Sequence, residues 1–310
     1  MSITYLITGG SGFIGSCIVK KLLQISSTAN IKIYDINTNN IINSTRIEII
    51  KGDILDLENL KIHTNDIDVL IHCAAICGID TIKKDPLKTI EINFKGTENV
   101  LKCSKFHNID KTILFSTSEV YGKYCIGYDE DSKVEVEPIN INERSIYQIS
   151  KLLGETYGYI YHKMFGLNIT SIRPFNIYGP GQIGEGAIKI FIENAIKDEN
   201  IYINGSGKII RSWCYVDDIV SCVLKAINKC NKYNIYNVGN SSNIISIKDL
   251  AKKIIKLSNS KSKIIHRNAL NDDVLMRFPS TEKAEKILDY IPLISLDEGL
   301  KKTIDYYKNN

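Results

Sequence analysis

Tyr147 and Lys151 stand four residues apart in Tyr147-Gln148-Ile149-Ser150-Lys151, a spacing that puts a phenol and an ammonium on one face of a helix. A cation beside a phenol stabilises the phenolate, so this tyrosine can accept a proton from a substrate hydroxyl. If a hydride leaves the same carbon, the hydroxyl becomes a ketone. Spacing alone does not decide the matter, because the chain has 17 tyrosines and a second such pair, Tyr159 and Lys163. The simplest reading of that second pair is a helix surface. Context separates the first one. Upstream, the apolar run Thr112–Ser116 leads into Ser116-Thr117-Ser118-Glu119-Val120-Tyr121-Gly122. Hydroxyls at the carboxyl end of a strand point into the crevice of an open α/β sheet, where Thr117 can hydrogen-bond the reacting oxygen. Thr117, Ser118, Glu119, Tyr147 and Lys151 are the candidate catalytic residues.

A hydride needs an acceptor, and the N-terminus offers a place for one. The run Ile3–Thr8 ends in Thr8-Gly9-Gly10-Ser11-Gly12-Phe13-Ile14-Gly15, with Gly9, Gly12 and Gly15 three apart. Glycines between a strand and a helix let the backbone turn tightly and approach a pyrophosphate at the helix N-terminus. Asp35 ends the next strand, where a carboxylate can bind the adenosine ribose hydroxyls and would repel a 2′-phosphate. No arginine follows until Arg46, so NAD is favoured over NADP. Asp53, in Gly52-Asp53-Ile54 after the third strand, is the next polar group at that sheet edge and can reach the adenine.

These residues require a scaffold. Strands are expected at Ile3–Thr8, Ile31–Asp35, Ile47–Lys51, Val69–Ala74, Thr112–Ser116 and Asn168–Arg173, with helices at Gly12–Ile25, Pro86–Phe106 and Ser145–Phe165. Continuous Val/Ile/Leu strands separated by helices imply a parallel sheet covered on both faces. After Pro174 the pattern breaks, and Gly179–Gly186 must be loop. The expected fold is therefore α/β: a Rossmann-type doubly wound parallel sheet over 1–175 and a smaller C-terminal α/β substrate-binding lobe over 176–310, with some chain crossing back and a crevice between them.

Composition excludes other classes. The chain has 310 residues, 44% apolar and 24% charged, and a net charge of +4 from 39 basic and 35 acidic side chains. That excess is too small and scattered for a nucleic-acid footprint. No apolar run approaches the roughly 18 residues of a membrane span. Eight cysteines without a C-x-x-C pair, and five dispersed histidines, point to reduced thiols and no metal site. With no basic leader at the N-terminus, the expected compartment is the cytoplasm.

Taken together, these segments resemble an extended short-chain dehydrogenase/reductase of the nucleotide-sugar epimerase/dehydratase type over essentially the full length. Besides the turn and the tyrosine segment, the resemblance rests on Cys73-Ala74-Ala75, Asn93-x-x-Gly96-Thr97-x-Asn99-Val100, Arg173–Pro180 and Arg211-Ser212-Trp213-Cys214-Tyr215-Val216-Asp217-Asp218. It implies a tightly held NAD that oxidises a nucleotide-diphosphate sugar at C4 and is restored within one turnover. It assigns Gly9, Gly12, Phe13, Ile14, Gly15, Asp35, Asp53, Ile54, Ala74, Ala75, Asn93, Tyr147 and Lys151 to the cofactor, with Lys151 on the nicotinamide ribose and Thr117 assisting Tyr147. Asn176, Arg211 and Arg277 match positions that hold the substrate, and guanidinium groups suit phosphates. Helices Pro86–Phe106 and Ser145–Phe165 resemble a pair that builds a four-helix dimer interface, so a homodimer is expected.

Glu119 bears on which reaction follows. After C4 oxidation the C5 proton becomes acidic, and a nearby carboxylate can remove it. Hexose 4,6-dehydratases of this type carry Asp-Glu after the threonine; here the pair is Ser118-Glu119, which keeps the base and lacks the acid. The expectation is a dehydratase using Glu119 at C5 and losing the C6 substituent. A glucuronate decarboxylase, to which Ser-Thr-Ser-Glu-Val-Tyr-Gly and Arg144-Ser145-Ile146-Tyr147 are also similar, and a 4-epimerase are the alternatives. A catalytically inactive NAD-binding scaffold is a fourth.

Overall fold

The computed structural model describes residues 2–39, 41–269 and 276–310. In chain order come β1 Thr4–Thr8, α1 Phe13–Ile25, β2 Asn30–Asp35, β3 Ile47–Lys51, α2 Leu57–His63 and β4 Val69–His72. Next are α3 Ile79–Lys84, α4 Pro86–Ile90, α5 Gly96–Phe106 and β5 Lys111–Phe115. After a 3₁₀ turn at Ser118–Tyr121 follow β6 Tyr124–Tyr128, α6 Arg144–Phe165, β7 Ile169–Pro174 and β8 Ile177–Tyr178. Then come α7 Ala187–Ile196, β9 Ile201–Asn204, β10 Ile210–Ser212, β11 Cys214–Tyr215, α8 Val216–Lys229 and β12 Asn234–Val238. The remaining elements are β13 Ile244–Ser246, α9 Ile247–Ser258, β14 Ile264–Arg267, β15 Met276–Pro279, α10 Glu282–Leu288 and α11 Leu296–Asn309.

The chain forms two compact units that interleave in sequence. The first comprises Met1–Val120, Pro138–Arg173 and Val220–Tyr236; the second comprises Tyr121–Glu137, Pro174–Ile219 and Asn237–Asn310. The first holds most of a seven-stranded sheet ordered β12-β7-β5-β4-β1-β2-β3, parallel from β7 to β3. Strand order reverses between β1 and β4, the switch point at which open α/β sheets bind ligands outside their carboxyl ends. Leu6, Leu70 and Leu114 from neighbouring strands pack with Val100, Leu101 and Ile169 in one buried cluster, which explains why these strands read as unbroken apolar runs.

Most expected element ends fall within one residue of those observed; two elements differ more. Strand β4 stops at His72, not at Ala74: Cys73 still donates to Thr8 O (3.0 Å), but Ala74 N and Ile76 N donate to the side chains of Thr8 and Asn93 in place of a neighbouring strand. The helix expected at Pro86–Phe106 is continuous, but Glu91–Lys95 within it winds as a π-helix. Such an extra residue in a turn redirects the side chains it carries, among them the fully buried Asn93.

The second unit has a four-stranded sheet β13-β10-β15-β6 and two short pairs, β11-β8 and β14-β9. Helices α7, α9 and α11 pack on one another through buried Ile188, Phe191, Leu250, Ile254, Leu300 and Ile304. Ser246 and Ser295 cap α9 and α11 by accepting from the backbone of Asp249 and Glu298, the usual means of satisfying first-turn N–H groups.

Candidate active site

The glycine turn after β1 is built for close approach. Gly9 has φ +68°, a left-handed conformation, and a Cβ there would lie 2.6 Å from Ala74 N; only glycine fits. A Cβ on Gly15 would collide with Gly9 O. Gly12 donates to Gly9 O (3.1 Å) and begins α1 with no side-chain cap. The first N–H groups of this 13-residue helix thus lack an intrahelical or capping partner, an arrangement that suits a dinucleotide diphosphate. Phe13 and Ile14, both half-buried, form its first turn.

Asp35 lies beside that turn. Its Oδ2 accepts from Ser11 N (3.1 Å) and Ser11 Oγ (2.5 Å), and its Oδ1 from Asn37 N (3.0 Å). A carboxylate offers about four acceptor positions, so the group is held in place and keeps capacity for a ribose hydroxyl. Asp53 Oδ1 accepts from Leu55 N (2.9 Å), an Asx turn. Ile54 is buried under Gly96, and its carbonyl accepts from Asn99 Nδ2 (2.9 Å). These two residues therefore shape the turn after β3.

His72, which the sequence marks only as a strand residue, ties β1 to β4 and the π-turn. Thr97 Oγ1 donates to Asn93 O (2.6 Å), so it must accept from His72 Nε2 (3.1 Å). Nδ1 is then the acceptor for Thr8 Oγ1 (2.7 Å), which in turn accepts from Ala74 N (3.4 Å). Each hydroxyl donates once and accepts once, each ring nitrogen has one role, and the imidazole is neutral. Burial, with the Lys151 cation adding to it, pushes His72 down to about 3.

Asn93 completes the clamp on the turn after β4. Its Oδ1 accepts from Ile76 N (2.8 Å), and its Nδ2 donates to Ile76 O (3.0 Å) and to Ser150 Oγ (3.2 Å). Ser150 Oγ donates to Tyr147 O (2.7 Å). The clamp thus fixes Ala74 and Ala75 against the glycine turn and joins them to α6 next to Tyr147.

The two tyrosine–lysine pairs of equal spacing fall in opposite surroundings. Tyr159 is 48% exposed and stacks edge-on against Tyr233. Lys151 is 5% exposed and donates from Nζ to Phe115 O at the end of β5 (2.8 Å). Burial pulls the Lys151 ammonium down to about 8. Burial raises the Cys73 thiol to about 12, so it stays protonated.

Thr117, Ser118 and Glu119 follow β5 directly. Thr117 and Ser118 are buried, and Thr117 Oγ1 accepts from Glu119 N (3.2 Å). Gln148 Nε2 donates to Val120 O (3.2 Å), pinning α6 to this turn. Glu119 Oε1 accepts from Arg144 Nη2 at 2.6 Å, with both side chains mostly buried. Arg144 opens α6 one turn before Tyr147, so Arg144, Tyr147 and Lys151 share a helical face. Arg144 is not among the candidate catalytic residues read from the sequence; its three-residue spacing from Tyr147 is the signal that puts the two on one face.

In the second unit the three expected substrate residues gather around β10. Arg211 and Arg277 are register partners on β10 and β15, 8% and 4% exposed. Arg211 Nη1 donates to Ile210 O (3.0 Å) and Arg277 Nη2 to Gly122 O (3.4 Å). Asn176, held at φ +42°, donates from Nδ2 to Ser212 O (2.8 Å). Among the described residues no group of acidic, histidine and cysteine side chains has the makings of a metal site, and no helix is long and apolar enough to cross a membrane.

Residues 5–239 match the profile of the NAD dependent epimerase/dehydratase family. The chain is 31% identical over 318 residues to a UDP-glucuronate 4-epimerase of Thermodesulfobacterium geofontis, covering 99% of this chain and 96% of that one. It is 33% identical over 323 residues to a UDP-N-acetyl-alpha-D-glucosaminuronate decarboxylase of Bacillus cytotoxicus, covering 98% and 97%. It superimposes with a TM-score of 0.88 and 30% identity on a UDP-glucuronic acid 4-epimerase of Bacillus cereus solved with UDP-glucuronic acid and NAD, over 99% of both chains.

Proposed function

The chain belongs to the NAD dependent epimerase/dehydratase family, and we propose that it oxidises a UDP-sugar at C4 and then releases a C6 carboxylate as carbon dioxide. NAD, when bound, supplies the hydride acceptor at C4 and returns the hydride at the end. Tyr147 takes the O4 proton while Lys151 stabilises the phenolate and Thr117 hydrogen-bonds the oxygen. Arg211 and Arg277 supply the positive charge a diphosphate calls for.

The observation that carries the choice of reaction is the ion pair Glu119–Arg144. The Arg144 guanidinium engages Glu119 Oε1 in a charge-assisted hydrogen bond, which works against Glu119 as the base at C5. Ser118, where a dehydratase would need an acid for the departing hydroxyl, has no ionisable group. Decarboxylation needs neither. Once C4 is a ketone, the C5–C6 bond can break with its electron pair flowing into the carbonyl. Carbon dioxide leaves, the enolate takes a proton from water at C5, and hydride return at C4 with the proton held by Tyr147 going back to O4 completes a pentose. The 33% identical glucosaminuronate decarboxylase supports the same direction. Dehydration is the second reading, favoured by the Glu119 backbone bond to Thr117 Oγ1, which ties the residue that bears the carboxylate to the threonine proposed to meet O4.

The test is product analysis on NAD-loaded protein given UDP-glucuronate, UDP-N-acetylglucosaminuronate, UDP-glucose and UDP-N-acetylglucosamine in turn. Carbon dioxide and a UDP-pentose from either uronate are expected. Water loss from a neutral sugar would transfer the assignment to a dehydratase. Inversion at C4 with all six carbons kept would make it an epimerase, and no turnover of any sugar would leave a binding protein.

A further inference from the structure

We infer that Arg144 reads the substituent at C6 of the sugar and selects a carboxylate, with Glu119 as the group that holds it ready. The inference rests on the decarboxylase reading above and adds to it the residue that decides between uronate and neutral hexose.

Three features lead there. Arg144 occupies the first turn of α6 on the face that carries Tyr147 and Lys151, so it stands one helical turn from the residue proposed to handle O4. Glu119, its partner at 2.6 Å, lies two residues past Thr117, whose Oγ1 accepts the Glu119 N–H. The ion pair therefore sits on the Thr117–Tyr147 side of the site. C6 is two bonds from C4, so a sugar whose C4 hydroxyl meets Thr117 and Tyr147 must place C6 in their immediate neighbourhood.

Charge then decides what can occupy that place. Glu119 without Arg144 would repel a uronate. With Arg144 the pair is neutral overall, and a guanidinium carries five N–H donors in one plane, enough for two carboxylates at once. A hydroxymethyl group offers no charge in return, so it gains much less from the same donors.

The test is calorimetric titration of UDP-glucuronate and UDP-glucose into NAD-loaded protein in a Tyr147→Phe background, so that neither ligand is consumed. The background protein should bind the uronate more tightly than the hexose. Arg144→Gln should weaken the uronate about 10- to 100-fold, the effect of losing a charged hydrogen bond, and leave UDP-glucose nearly unchanged. Arg144→Lys should restore part of the loss. Adding Glu119→Gln to Arg144→Gln should also restore part of it, by removing the uncompensated negative charge. Equal weakening of both sugars by Arg144→Gln, or no weakening of the uronate, would overturn the inference, as would a double variant no better than the single one. A background protein with no preference for the uronate would instead overturn the decarboxylase reading beneath it.

Discussion

Arg211 and Arg277 stand opposite each other on the adjacent parallel strands β10 and β15, and both are buried. They are far apart in the chain, and only strand pairing brings two guanidinium groups to one level of the sheet. Two guanidinium groups at one level of a sheet match the charge and the oxygen geometry of a nucleotide diphosphate.

UDP should therefore raise the stability of the protein, and these arginines should account for much of the rise. A ligand at one hundred times its dissociation constant adds about 2.7 kcal/mol. A tenfold loss of affinity in Arg211→Gln or Arg277→Gln would remove about 1.4 kcal/mol of that at the same UDP concentration. Urea unfolding with and without UDP measures both terms. An undiminished rise in both variants would remove the diphosphate from this pair.

His72 sets an acid limit on stability. Its folded value of about 3 lies below the ordinary 6.5, so the unfolded chain binds the extra proton between those limits. Stability should fall as pH drops from about 6.5 towards 3, by up to about 1.4 kcal/mol per pH unit from this residue alone. In His72→Gln the urea midpoint should start lower at pH 7 and decline less steeply on acidification. Parallel declines in the two proteins would mean that another group controls the acid limb.

Tyr147→Phe should abolish C4 oxidation, with a loss of at least about 10²–10⁴ as for other general bases. Tyr159→Phe should run near the parent rate, because the same spacing there places the phenol on an exposed helix surface. Single-turnover formation of the 4-keto sugar follows both. A dead Tyr159→Phe beside an active Tyr147→Phe would put the site on the wrong turn of α6.

Glu119→Gln separates the two lyase readings. Gln keeps the shape and a hydrogen bond but cannot take a proton. If the C6 group leaves as carbon dioxide, release should continue at a rate within about tenfold of the parent, reduced by the weakened hold on Arg144. If Glu119 removes the C5 proton, the reaction should stop at the 4-keto sugar with a loss of about 10²–10⁴. Deuterium at C5 of the substrate reports the same division, since only the dehydratase breaks that bond.

Much of this protein was legible from local pattern. The glycine turn, the alternation of apolar strands with helices, and the shared face of Tyr147 and Lys151 each depend on residues a few positions apart, where backbone sterics and periodicity determine the outcome. Those segments fold as read to within one residue at their ends, except that β4 ends two residues early, where Ala74 N turns to Thr8 Oγ1 and Asn93 holds Ile76. Tertiary structure decided the rest. It buried Lys151 of one tyrosine–lysine pair and left Tyr159 and Lys163 of the other exposed, gave Glu119 an arginine partner, and set Arg211 beside Arg277. Each of these is a contact or burial difference between segments distant in sequence, and periodicity carries no record of which distant side chain closes a hydrogen bond or neutralises a charge.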